Sequence, residues 1–167
     1  SAENIKGVGG LPVNRKQKMV PLLSGGIDSP VASYLMIKRG CEVTFVHFQN
    51  ANQMTDSVED KIVRLAKQLS KYQLRTKLYI VPFADLQKEL IMKVHSTMRM
   101  LIYRKIMIEI AARIAKKEHA KFLVVGDSLS QVASQTIENL EAVYHNSPLH
   151  ILSPLIGLDN NIISTAF

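Results

Sequence analysis

The segment Ser24-Gly25-Gly26-Ile27-Asp28-Ser29 constrains this 167-residue chain more than any other. It follows a short apolar run, Met19 to Leu23, and precedes a stretch with helical apolar spacing at Val31, Ala32, Leu35 and Met36. An apolar run this short, stopped by two glycines, reads as a buried strand. Adjacent glycines let backbone amides approach an anion with no Cβ in the way. Ser24 and Ser29 add hydroxyl donors, and the helix that follows points its positive N-terminus at the same spot. Together they predict a pyrophosphate cradle at a strand-to-helix turn. Asp28 would repel phosphate unless a cation stood between them, which makes it the candidate for holding Mg²⁺. The segment lacks the lysine of a Walker A loop and the spacing of a GxGxxG fingerprint.

The rest of the chain alternates between strand and helix signals. Ser29 or Asp28 is the expected N-cap of the first helix, with Pro30 near its first position. Lys38-Arg39-Gly40 is the expected helix stop. Pro21 is awkward inside a central strand and is expected near the strand's start or where its nitrogen faces no partner. Residues 43–48 form a β-branched and aromatic strand. Thr55 or Asp56 caps a second helix carrying Val58, Ile62, Leu65, Ala66 and Leu69 at helical spacing. A third strand is expected at 76–82, helices at about 83–95 and 97–117, and a fourth strand at 122–125. A helix or turn follows at about 130–142, then a fifth strand at 149–152, with Asp159 capping a last helix. This alternation predicts an α/β fold, a Rossmann-like parallel sheet with helices on both faces. Ligands of such sheets bind beyond the carboxyl ends of the strands, at the switch in strand order. Segments 24–29, 47–50 and 126–136 are expected there.

Composition narrows the function classes. Hydrophobic residues make up 47% and charged residues 21%, the balance of a globular domain. The single cysteine, Cys41, excludes an intrachain disulfide, a Cys-x-x-Cys pair, a Cys-rich zinc site and a cysteine-ligated iron–sulfur cluster within the chain. As a free cysteine after a helix stop it is expected to be structural. No apolar run approaches the roughly 18 residues of a membrane helix, and no signal-peptide core opens the chain, so the expected compartment is the cytoplasm with no membrane partner. The net charge of +7 favours a polyanionic partner. Residues 1–18, glycine-rich and basic, read as a linker. Lys61, Arg64, Lys67 and Lys71 share one helix face, either as a solvated stripe or as a track for an RNA backbone.

SGGIDS resembles the PP-loop of the ATP-pyrophosphatase superfamily. GVGGLPV before it, SGGIDSPVASYLMIKRG across it, VHF at 46–48, GDSLSQVASQTIENL from Gly126 and SPLIGLDN from Ser153 resemble one family in particular. That family is the tRNA 4-thiouridine synthetase, also called the thiamine-biosynthesis sulfurtransferase, and the resemblance covers about residues 7–163. It implies an adenine nucleotide alpha hydrolase-like fold and an ATP site, with Asp28 the residue of greatest catalytic weight. Leu22 and Leu23 would present backbone to the nucleotide, and Ser24, Gly25, Gly26, Asp28 and Ser29 would hold its pyrophosphate. His47 and Phe48 would line the adenine side, and Arg104 would reach the nucleotide. Gly126 would let it lie against bare backbone, and Gln135 would add a polar contact. Without the resemblance, Arg104 is one more cation beside Arg99, Lys105 and Arg113.

The resemblance further implies tRNA as substrate, a cysteine desulfurase as persulfide donor, and a link to thiamine thiazole synthesis. It leaves a homodimer open. The family's catalytic cysteine lies downstream of the SPLIGLDN region. Residues 19–167 would then be a C-terminally truncated PP-loop domain, and 1–18 the linker from a missing N-terminal tRNA-binding region. Such a chain would make no 4-thiouridine alone. The alternatives are another PP-loop ligase or tRNA thiolase, or an RNA-binding module whose nucleotide loop does no catalysis.

Overall fold

In a computed structural model, described for residues 9–50, 56–73, 75–129, 132 and 135–159, five parallel strands form one sheet. The strands are β1 (Asn14–Pro21), β2 (Cys41–Gln49), β3 (Lys77–Pro82), β4 (Phe122–Val124) and β5 (His150–Leu152), arranged β3-β2-β1-β4-β5. Helices α1 (Asp28–Lys38) and α2 (Asp56–Ser70) cover one face through Val43, Phe45, Ile62 and Leu69. Helices α3 (Ala84–Lys93), α4 (Ser96–Lys117) and α5 (Ile137–Tyr144) cover the other through Val20, Val46, Leu123 and Val143. Neighbouring strand residues thus point to opposite layers, as a sheet buried on both faces requires. Each fully buried Phe, Leu or Ile contributes about 1.5–3 kcal/mol. This is the expected α/β architecture.

Several boundaries differ from the sequence reading, each for a tertiary reason. β1 begins at Asn14, inside the stretch read as linker. The Asn14 amide donates to the Gly40 carbonyl at 2.6 Å, and the register then slips between Asn14 and Lys18. This bulge lets a polar, basic segment join the sheet without the alternation that would announce it. Pro21 closes β1 rather than opening it, and Leu22 resumes donation, to the Val124 carbonyl at 2.9 Å. α5 starts at Ile137, where the Thr136 hydroxyl accepts from the Asn139 amide. Gly40 does end α1, at φ +86°, where a Cβ would stand 2.7 Å from the Pro12 carbonyl oxygen. The expected cap at Thr55, the side chain of Val58 and the last helix after Asp159 lie outside the described residues.

After β3 the chain crosses back over β2 and β1, through α3 and α4, to place β4 on the free side of β1. The strand order therefore reverses between β1 and β4, and the loops leaving those two strands face each other.

Candidate nucleotide-binding site

A crevice of about 460 Å³ opens between those loops, walled by α4. Leu22, Ser24, Asp28 and Ser29 line it from the β1 side, and Val125, Gly126 and Asp127 from the β4 side. Met100, Arg104, Met107 and Ile108 close it from α4, and Gln135 from the segment before α5.

The loop after β1 is held by its own serines. The Ser24 amide donates to Ser29 Oγ at 2.7 Å, the two hydroxyl oxygens lie 2.9 Å apart, and the Gly26 amide reaches Ser24 Oγ at 3.3 Å. Neither Ser29 nor Asp28 is the N-cap. α1 already begins at Asp28, the cap position is Ile27, and no side chain caps it. Ser29 is turned back across the loop instead. The helix thus starts with uncapped amides at the crevice, the arrangement that binds anions.

Asp28 carries the clearest electrostatic signal. Its Oδ1 is buried and has no hydrogen-bond partner. Burial, and then the negative charge of Asp127, push its carboxyl above the usual range. A buried carboxylate oxygen left bare beside a second carboxylate suits a hard divalent cation, so the residues present fit Mg²⁺ with Asp28 as its protein ligand.

Asp127 lies in the 126–136 segment expected at the crevice, but it is not among the residues that the sequence reading singles out for the site. It is buried, and three groups converge on it. Arg104 forms an ion pair with Oδ2, the Tyr144 hydroxyl donates to the same oxygen, and Gln135 Nε2 donates to Oδ1 at 3.3 Å. Tyr144 comes from the end of α5. Burial, followed by the charge and hydrogen bond of Asp127, raises its phenol far above the usual value and keeps it a neutral donor. Arg104 and Gln135, named only through the family resemblance, are thereby brought together. Asp127 follows a strand-ending glycine at the sheet's switch point, and that signal could have singled it out. Tyr144 has no local signal.

Gly126 lines the crevice and also has a packing role. A Cβ there would stand 2.7 Å from the Ser29 nitrogen and 2.9 Å from the Asp28 carbonyl carbon. The missing side chain makes room for the start of α1, and the residue also lines the crevice. The bare glycine lets the β1 and β4 loops touch, and that contact sets Asp28 beside Asp127.

Leu22 lines the crevice, and other predicted residues sit deeper. The amides of Leu22 and Leu23 are engaged by Val124 and Val46, and Leu23 is buried. His47 is buried, and its Nδ1 lies 2.9 Å from the Leu23 carbonyl oxygen, which accepts. Phe48 is buried edge-on to Phe83, with ring centroids 5.7 Å apart. Neither His47 nor Phe48 lines the crevice with its side chain, because the pleat at this end of β2 turns both into packed layers. Gly25 and Gly26 stand at the loop's outer turn. Cys41 is buried, and burial raises its thiol, which suits a packing residue rather than a nucleophile. Among the described residues no helix is long and apolar enough to cross a membrane.

The chain is similar to known proteins in sequence and in fold. A family model described as "Thiamine biosynthesis protein (ThiI)" matches residues 14–167. A "Probable tRNA sulfurtransferase" of Thermus thermophilus is 44% identical over 161 residues, covering 96% of this chain and 40% of the relative. One from Thermoanaerobacter sp. is 45% identical over 159 residues, covering 95% of this chain and 42% of the relative. The chain thus spans about two fifths of the length of these curated relatives. A 4-thiouridine synthetase solved as an RNA complex with bound ATP superposes with a TM-score of 0.90 at 34% identity, over 95% of this chain and 42% of that one. A U34-tRNA thiolase, NcsA from Methanococcus maripaludis, shares the fold at a TM-score of 0.63 and 18% identity, over 92% of this chain and 57% of that one.

Proposed function

The chain belongs to the thiamine biosynthesis protein (ThiI) family, and on that premise we propose that it is the ATP-binding, adenylating part of a tRNA uridine 4-sulfurtransferase. The observation that carries this reading is the crevice at the β1–β4 switch, where the uncapped start of α1 meets the unpartnered carboxylate oxygen of Asp28. The likeness at 34% identity to an ATP-bound 4-thiouridine synthetase supports it.

In this reading the Ser24–Ser29 loop and the first amides of α1 bind the phosphates. Arg104 and Gln135, both oriented by Asp127, contact the nucleotide from the facing wall. The uridine O4 attacks the α-phosphorus of ATP, the bond to the bridging oxygen breaks, and pyrophosphate leaves. The pyrimidine is left as an O4-adenylate. Persulfide sulfur, delivered by a cysteine desulfurase, then attacks C4 as AMP departs, leaving a disulfide between the base and the sulfur carrier. A second thiol, other than Cys41, attacks the carrier's sulfur, the S–S bond breaks, 4-thiouridine leaves and the two thiols end as a disulfide. Mg²⁺ held at Asp28 would supply Lewis-acid neutralisation of phosphate charge. Ser24 and Ser29, locked to each other, preserve the cradle's shape so that little ordering accompanies binding. The thiol of Cys41 has no place in the sulfur step. The same sulfur-transfer chemistry links the reading to thiamine thiazole synthesis.

Nucleotide titration combined with tRNA filter binding at two salt concentrations tests this. ATP binding that Asp28→Ala weakens is the expected result. The competing reading, an RNA-binding module with an idle loop, rests on the +7 charge. It predicts salt-dependent tRNA affinity with no ATP binding, and Asp28→Ala would leave that affinity unchanged.

A further inference from the structure

The described side chains lining the crevice carry one cation, Arg104, against two carboxylates, Asp28 and Asp127. Arg104 is paired with Asp127. Such a lining repels a triphosphate, which brings several negative charges of its own. A divalent cation at Asp28 offsets part of this. The loop itself offers amides and hydroxyls but no lysine.

A lysine arrives from another element. Lys61 lies on the exposed side of α2, and its side chain runs to the loop. Its Cδ and its Nζ each stand 4.0 Å from the point that a Cβ on Gly25 would occupy. The ammonium therefore lies beside the bare glycine of the loop. Arg64, one turn further along α2, is turned to the Asp60 carbonyl at 3.3 Å.

We propose that Lys61 is a triphosphate-binding residue, supplying from α2 the cation that the loop's own sequence lacks. The inference rests on the reading of the crevice as an ATP site and adds a selectivity device to it. Lys61 meets the β- and γ-phosphates, while the adenosine and α-phosphate lie further in. It thus separates ATP from AMP, and it steadies the negative charge that collects on the β-phosphate as the α–β bond breaks. A lysine suits this task, because a compact ammonium on a flexible stem can follow the leaving pyrophosphate.

Calorimetric titration of Mg·ATP and of AMP tests this with the wild-type chain, Lys61→Gln, Lys61→Arg and, as a control on the same helix, Lys67→Gln. Lys61→Gln should weaken ATP about tenfold and AMP by less than about twofold. Lys61→Arg should retain most of the ATP affinity, and Lys67→Gln should change neither. The Lys61 effect should shrink at high ionic strength, since the group is exposed. Equal losses for ATP and AMP, or no loss for either, would overturn the assignment while leaving the ATP site standing. A folded wild-type chain that binds neither nucleotide would overturn the ATP reading and Lys61's role with it.

Discussion

Beside the amino end of β3, Glu118 accepts from Lys77 at 2.7 Å and from Tyr79 at 2.5 Å. At the carboxyl end of the same sheet, Asp28 keeps a buried oxygen with no partner and faces a second carboxylate. The two acids consequently move in opposite directions. The hydrogen bonds from Lys77 and Tyr79 hold Glu118 below the usual carboxylate range, whereas burial and Asp127 push Asp28 above it. Glu118 contributes stability that is present above the ordinary carboxylate pKa and is lost as pH falls through its lowered value. Asp28 behaves the other way. Its raised value favours the fold at acid pH, and the benefit goes as pH rises through that value, so its ionised form is a cost at neutrality. The difference separates a carboxylate that the fold satisfies from one that it leaves unsatisfied, as expected of a ligand site.

The largest expected effect falls on ligand binding at the carboxyl rim. Asp28→Ala should weaken Mg·ATP by about 100-fold in calorimetry. With the metal chelated, the difference from wild type should vanish or reverse, because Asp28 then only repels phosphate. Gly126→Ala should follow, costing about 1–3 kcal/mol in denaturant titration, because the new Cβ collides with the first backbone atoms of α1. ATP affinity should fall with it. Tyr144→Phe should be smaller, about three- to tenfold in ATP affinity, since Asp127 keeps Arg104 and Gln135 but loses one donor. The smallest effect belongs to the amino rim. Glu118→Gln should leave nucleotide affinity unchanged and cost about 1 kcal/mol of stability at neutral pH. That deficit should shrink as pH falls through the lowered Glu118 value. ATP affinity that responds to Glu118→Gln would erase the division between the rims.

The sequence made one side of the carboxyl rim legible and left the other obscure. The β1–loop–α1 unit is local: a short apolar run, two glycines, a helical pattern and a glycine stop, all within 22 residues from Met19 to Gly40. Periodicity and turn chemistry suffice for such a unit, and they also predicted the parallel sheet. The opposing wall is assembled from α4, β4 and the end of α5, with partners 23 residues apart for Arg104 and Asp127 and 17 for Tyr144 and Asp127. No periodicity encodes those pairings, so the sequence reading singles out neither Asp127 nor Tyr144. Arg104 emerged from a family resemblance rather than from its helix. The basic start of β1 was obscured by its bulge, and the inward turn of His47 and Phe48 depends on how β2 ends against its neighbours.

Thermal unfolding of the wild-type chain and Asp28→Asn, each with and without Mg·ATP, bears on all of this in a single assay. If Asp28 is held at a cost for a nucleotide-bound cation, the variant melts at or above the wild type without ligand. Saturating Mg·ATP then raises the wild-type midpoint and leaves the variant's nearly unmoved. A variant that melts well below the wild type without ligand, yet keeps the full ATP-induced rise, would show instead that Asp28 supports the fold and that the nucleotide binds elsewhere.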